Sequence, residues 1–248
     1  MEGAEQVQQI RPENRFWRSI SQALRNWKEE VVVLKNHPHS KVYLIFVIGD
    51  FFAVGGLYLP YACLPELATS NGFSVDQASL VITLLGTGSF AGRLASIFFC
   101  QRTTESLNLL NLILLTSVTS LLLPAFSVLV LDSPDLKALL MIFFMFGLGT
   151  GVWVAATSPF VISLLGTCHF DTAIGLLAFS RGAPATCFPF LMSALAEKMH
   201  KPFVPLFASS ILFFLAMVTF FAGLWQLEKE KTAPRTAGDS SEGDGHDI

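Results

Sequence analysis

Asp50, Arg93 and Arg181 are ionisable side chains set within stretches of Leu, Phe, Gly, Ala and Val. A charge at the centre of a bilayer costs at least about 2.5–3.5 kcal/mol on insertion scales, so such residues usually face a bundle interior or a water-filled cavity. An arginine guanidinium grips a carboxylate through two parallel hydrogen bonds, whereas an aspartate neutralises a cation or carries a proton. Two cations and one anion leave a surplus positive charge, which suits a ligand bearing a carboxylate. A second arrangement is open at this point, in which Asp50 pairs with one arginine as a fixed latch and Arg93 snorkels to the membrane surface along its aliphatic stem. Arg181 lies too deep to snorkel easily.

The elements that must position these groups are apolar helices. Of the 248 residues, 52% are hydrophobic and only 14% charged, against roughly a quarter charged in soluble domains, and the mean hydropathy is +0.55. Spans of about 20 apolar residues are long enough to cross a bilayer. Six such stretches are expected at 42–64, 77–99, 107–131, 138–166, 172–196 and 204–227. The fourth is long enough to tilt or to end in a broken turn near Pro159. Short connections require antiparallel neighbours in one compact bundle. The expected organisation is an N-terminal segment over 1–41, a membrane domain over 42–227 and a polar, disordered tail over 228–248.

No apolar signal-peptide core precedes residue 40, so the first span is expected to act as its own insertion signal. Arg25, Lys28, Lys35, Lys41, Arg102, Lys229, Lys231 and Arg235 fall on one side of the bundle, and only Lys137, Lys198 and Lys201 on the other. The positive-inside rule then places both termini in the cytoplasm of a multi-pass protein, with the plasma membrane as its expected location. Within residues 15–35, Phe16, Ile20, Leu24, Trp27, Val31 and Leu34 recur at three- and four-residue spacing among basic residues. That pattern fits a helix lying in the headgroup plane, and equally a linker helix packed on the cytoplasmic loops.

At 1.5 Å per residue, Asp50, Arg93 and Arg181 lie about 12, 10 and 14 Å from the cytoplasmic edge, close enough in depth to meet. Pro184 and Pro189 release the carbonyls of Ser180 and Ala185 beside Arg181, and interrupted helices at membrane depth line cavities. Gly88, Gly92 and Ser96 form one small-residue stripe, and Gly147, Gly151 and Ala155 another. Such stripes serve close helix contact, or rocking of one helix on the next.

Other chemistries find little support. Cys63, Cys100, Cys168 and Cys187 share no metal-ligand spacing and suggest no disulfide framework. The "CHFD" stretch at 168–171 supplies a cysteine and a histidine in a loop, without the third group and pocket that a nucleophile requires. No phosphate-binding, dinucleotide or hydrolase motif occurs, so neither an enzyme nor a cofactor is expected. A net charge of −3 without a dense basic patch gives no reason to expect nucleic acid as a partner. The expected partners are the lipid bilayer and a small organic anion.

"LYLPYACLPELATSNGFSVDQASLVITLLGTGSFAGRL" at 57–94 resembles the seventh and eighth helices of the monocarboxylate transporter family of the major facilitator superfamily. "GLGTGVWVAATSPFVISLLGTCHFDTAIGLLAFSRGAPATCFPFLMSAL" at 147–195 resembles their tenth and eleventh. The resemblance implies an all-α fold in which this chain supplies the second six-helix half of a twelve-helix bundle. It also implies substrates such as lactate or pyruvate, often moved with a proton. Arg93 and Arg181 would bind the substrate and Asp50 would be the candidate for proton coupling. The family often carries an aspartate four residues before the arginine of its eighth helix, where this chain has Ser89. Alternating access further requires a second half, supplied by another chain or by a second copy. Alternatively, the chain is a non-transporting half that binds or regulates a full-length transporter.

Overall fold

The computed structural model describes residues 36–102, 105–132, 135–199 and 203–232, together with Gln22, Val32 and Leu34. The segment expected to form an amphipathic helix therefore lies almost wholly outside the described residues, as does the tail from 233 onward. Six helices are long and apolar enough to cross a membrane. They are α1 (Ser40–Ser70), α2 (Val75–Arg102), α3 (Ser106–Asp132), α4 (Leu136–Leu165), α5 (Phe170–Met199) and α6 (Val204–Thr232). A single 3-10 turn, Thr167–His169, leads from α4 into α5.

Apart from the C-terminal end of α4, which stops at Leu165, each helix extends beyond the apolar span that announces it. Hydropathy marks only the part matched to hydrocarbon, while the hydrogen-bonded ladder runs on into the polar boundary until a cap stops it. Ser74 and Gln77 form such a cap before α2: the Ser74 N–H donates to Gln77 Oε1 at 2.9 Å, and the Gln77 N–H donates to Ser74 Oγ at 3.2 Å. At the end of α1, the Phe73 N–H reaches Ala68 O at 3.2 Å and the Gly72 N–H reaches Thr69 O at 3.1 Å. Gly72 adopts φ +88° there, which completes a Schellman stop and leaves Phe73 buried against the core. Pro159 does not break α4, which continues to Leu165, and α5 runs unbroken through Pro184 and Pro189. The α6 helix passes the end of its apolar span to Thr232, with Lys229 over the Trp225 ring at 5.5 Å.

The tightest contact joins α2 to α4. A Cβ on Gly88 or Gly92 would fall on the carbonyl oxygens of Phe144 and Leu148, and one on Gly147 or Gly151 would fall on those of Leu85 and Ser89. The two glycine stripes thus pack into each other, backbone against backbone, as close helix approach in a membrane requires. The α1 helix lies along α6 in a similar way, with Gly49 under Phe220, Gly56 under Phe213, and the Ser209 hydroxyl donating to Gly56 O at 2.7 Å. Phe46, Phe160 and Phe220 fill the space between α1, α4 and α6. Other buried hydroxyls bond within their own helix, as where Ser117 donates to Ile113 O and Thr150 to Phe146 O.

The exception to this packing is α5. Only 11% of its most apolar window is buried, against 28–56% for the other five helices. Ala173, Leu177 and Pro184 are its buried residues, and Gly175 and Gly182 face open space. Near its start, the Tyr43 hydroxyl of α1 donates to Ala173 O at 2.7 Å. At the same end His37 meets His169 edge to face, with ring centroids 5.6 Å apart. Burial and the neighbouring His39 and His169 hold His37 below the ordinary imidazole value. His39 Nδ1 lies 2.7 Å from Glu230 Oε2, which brings the start of α1 to the end of α6.

The glycine contacts differ in their tolerance of a methyl group. Gly147→Ala is expected to lower unfolding stability by about 1–3 kcal/mol, because the added carbon must push two backbones apart. Gly86→Ala, where a Cβ meets nothing, is expected to leave stability unchanged or raised, since alanine is the better helix former. Thermal unfolding of the purified chain in mild detergent checks the pair.

Candidate functional site

The α1 helix carries Asp50 one turn beyond Phe46, on the face turned toward the rest of the bundle, and the carboxylate is wholly inaccessible. Arg181 extends to it from α5. Its Nε donates to Asp50 Oδ2 at 2.7 Å and its Nη2 donates to Asp50 Oδ1 at 2.8 Å, the paired fork that gives a charge-assisted bond both strength and direction. The same Nη2 reaches Thr157 Oγ1 on α4 at 3.2 Å. Thr157 in turn donates to Trp153 O at 3.1 Å, one helical turn back. The guanidinium carbon sits 5.7 Å from the centre of the Trp153 ring, so the indole face covers the cation from the α4 side. Three helices therefore converge on one buried, electrically closed unit.

Arg93 is placed differently. It is exposed on α2, and among the described residues no carboxylate lies within ion-pair distance of it. It lines a cavity of about 300 Å³ that opens between α1, α2, α4 and α5. The α1 wall includes Val54 and Tyr58, the α4 wall Trp153 and Val154, and the α5 wall the part of Arg181 that Asp50 does not cover. Tyr61, one turn along α1 from Tyr58 on a neighbouring face, is within electrostatic reach of Ser89 and Arg93. Ser89 occupies the position where the resembled family has an aspartate, and its backbone is pressed against Gly151.

The three charged residues expected from the sequence thus separate into a closed pair and a cation with no ion-pair partner among the described residues. Asp50 and Arg181 meet in the latch arrangement, while Arg93 lines the same cavity as Arg181 from a different helix. The surplus positive charge resides at Arg93. Thr157 and Trp153 were not singled out by the sequence, because the apolar span of α4, beyond Lys137 at its start, contains no charged residue to draw attention. Their signal was their spacing of four, which puts both on one face of α4. Trp153 also keeps an indole N–H without a hydrogen-bond partner among the described residues. Cys168 is exposed beside His169, whose ring faces His37.

With this geometry in view, the comparisons with known proteins acquire meaning. No protein-family model matches the chain. The MFS-type transporter pytF of Aspergillus terreus is 33% identical over 54 residues, covering 22% of this chain and 18% of its own. The MFS-type transporter pynF of Aspergillus niger is 30% identical over 60 residues, or 24% of this chain and 14% of its own. The MFS-type transporter hasB of Aspergillus fumigatus is 28% identical over 120 residues, or 48% of this chain and 26% of its own. The likeness is to major-facilitator transporters. It supports that superfamily and general membrane transport, and it does not single out the monocarboxylate family within it. The matched stretches span about a quarter or less of the relatives' length, and the six helices are consistent with one half of such a bundle.

The two arginines should respond differently to neutralisation. Arg181→Gln strands the Asp50 carboxylate and is expected to cost about 3–5 kcal/mol of stability, the usual consequence of breaking a buried pair from one side. Arg93→Gln touches no ion pair and should stay within about 0.5 kcal/mol of wild type. Unfolding of both variants in bicelles measures the difference, and equal losses would contradict the separation into closed and free cations.

Proposed function

We propose that this chain is a transport half for small organic anions, monocarboxylates among them, which bind in the cavity between α1, α2, α4 and α5. The observation that carries this reading is Arg93: a cation without a counter-ion among the described residues, on the wall of a cavity with aliphatic and aromatic lining at membrane depth. A carboxylate there gains a charge-assisted, bidentate partner. Arg181 is the second cation, kept oriented by Asp50 and Thr157 and partly open to the same cavity.

Proton coupling follows naturally from this arrangement. An anion that draws Arg181 toward itself deprives Asp50 of its counter-ion, and an unpaired buried carboxylate takes up a proton rather than remain charged. On this reading Asp50 is the proton carrier and Ser89 plays no part in it. The charge distribution across the membrane supports cytoplasmic termini, with the plasma membrane as the proposed location.

A second reading draws on α5. Gly175 and Gly182 face open space, and α5 presents most of its surface outward. A second six-helix half, from a full-length transporter or from another copy of this chain, would find small residues suited to close approach there. The chain then contributes to transport as a partner or a regulator.

Uptake of labelled lactate into proteoliposomes, with and without a pH gradient, tests the transport reading. Saturable uptake stimulated by an inward proton gradient is expected, with Arg93→Gln lowering its efficiency at least tenfold. Absence of uptake from a folded sample would contradict independent transport and favour the partner reading. Uptake indifferent to Arg93→Gln would contradict the proposed site.

A further inference from the structure

The walls of the cavity carry information about the body of the anion as well as its charge. We infer that the site is built for a monoanion with an aromatic or branched apolar body, and that Gly182 is the residue that makes room for it. This rests on the anion-binding reading above and narrows its substrate class.

The charge count comes first. Arg181 is closed by Asp50 through two hydrogen bonds, so Arg93 is the one cation on the cavity wall without a counter-ion among the described residues. A monoanion is matched by that charge. A dianion would bring a second carboxylate for which the cavity lining offers no free cation among the described residues.

Size and lining come next. The cavity volume of about 300 Å³ falls at the lower end of the roughly 300–1,000 Å³ found for sites that hold drug-sized ligands. A three-carbon acid bound at Arg93 would leave most of that space unfilled. Away from the two arginines the walls are aliphatic at Val54, Leu57 and Val154 and aromatic at Tyr58 and Trp153. Few side-chain groups there can pair with a small ligand's hydroxyl, whereas an apolar body gains burial against the aliphatic and aromatic walls. Tyr58 is 43% exposed and offers a ring for stacking.

On the α5 wall the chain places Gly182 next to Arg181. A Cβ at Gly182 would meet nothing within 4 Å, so no packing demand within the bundle explains the absence of a side chain. A large residue at this position would project into open space beside the cation without displacing a helix. The glycine therefore acts on the volume available to the ligand.

The test uses the full chain in nanodiscs, with binding of 3-phenylpropionate, lactate and phenylsuccinate followed by calorimetry. Phenylpropionate is expected to bind at least tenfold more tightly than lactate or the dianionic phenylsuccinate. Gly182→Leu should reduce the preference for phenylpropionate over lactate at least tenfold, and its thermal unfolding, measured alongside, should match wild type. Lactate or phenylsuccinate binding as tightly as phenylpropionate overturns the inferred substrate class and leaves the anion site standing. A preference unaltered by Gly182→Leu overturns the role of the glycine. If no acid binds, or phenylpropionate binding is indifferent to Arg93→Gln, the anion site itself falls and the inference with it.

Discussion

A carboxylate that no water reaches, held by both arms of one guanidinium, is the constraint around which this bundle is arranged. Asp50 could not remain charged on α1 without Arg181, and Arg181 could not lie at membrane depth on α5 without Asp50. Each residue is the solvent of the other. The requirement reaches across three helices, because Thr157 accepts a further bond from the guanidinium and Trp153 covers it with a ring face. The pair also ties α5, the helix with the least buried surface, to the body of the bundle.

The contrast between the two ways of holding helices together bears on function. Where α2 meets α4, glycines bring backbone onto backbone, and little can slide without a clash. Where α5 meets α1, fewer residues are buried and polar links carry much of the contact, from Tyr43 near the start of α5 to Arg181 in its middle. A packed frame bearing Arg93 and Trp153 thus faces a lightly attached helix bearing Arg181 and Gly182. A ligand that competes for Arg181 acts directly on the link that keeps α5 in place. Binding energy spent there shifts the position of one helix against a frame that does not yield, which is how a local charge contact becomes a larger movement.

Much of this was legible in the residues themselves. The six helices follow from apolar length, since a bilayer leaves the backbone few alternatives. The stripes Gly88–Gly92 and Gly147–Gly151 announced close contacts, though only the fold shows that each is the other's partner. Depth counting placed Asp50 and Arg181 at similar levels, yet depth carries no information about azimuth. For that reason the separation of Arg93 from the pair stood only as one of two open arrangements, and Thr157 and Trp153, uncharged residues in a span without charges, were not readable at all. Pro159, Pro184 and Pro189 suggested interruptions, but the α4 and α5 ladders continue past them. A proline removes one donor and crowds one carbonyl, and in a bundle the surrounding turns hold the helix together across that gap.

The central claim is that Asp50 and Arg181 form a single unit and do not act as two independent charges. A double-mutant cycle measures this most directly, comparing the unfolding free energies in bicelles of Asp50→Asn, Arg181→Gln and the double variant with wild type. If the pair is one unit, the double variant loses far less stability than the two single losses summed, with a coupling energy of about 2–3 kcal/mol. Losses that add to within about 0.5 kcal/mol would show the two residues to be independent, and the closed pair would then not be what holds α5 to the bundle.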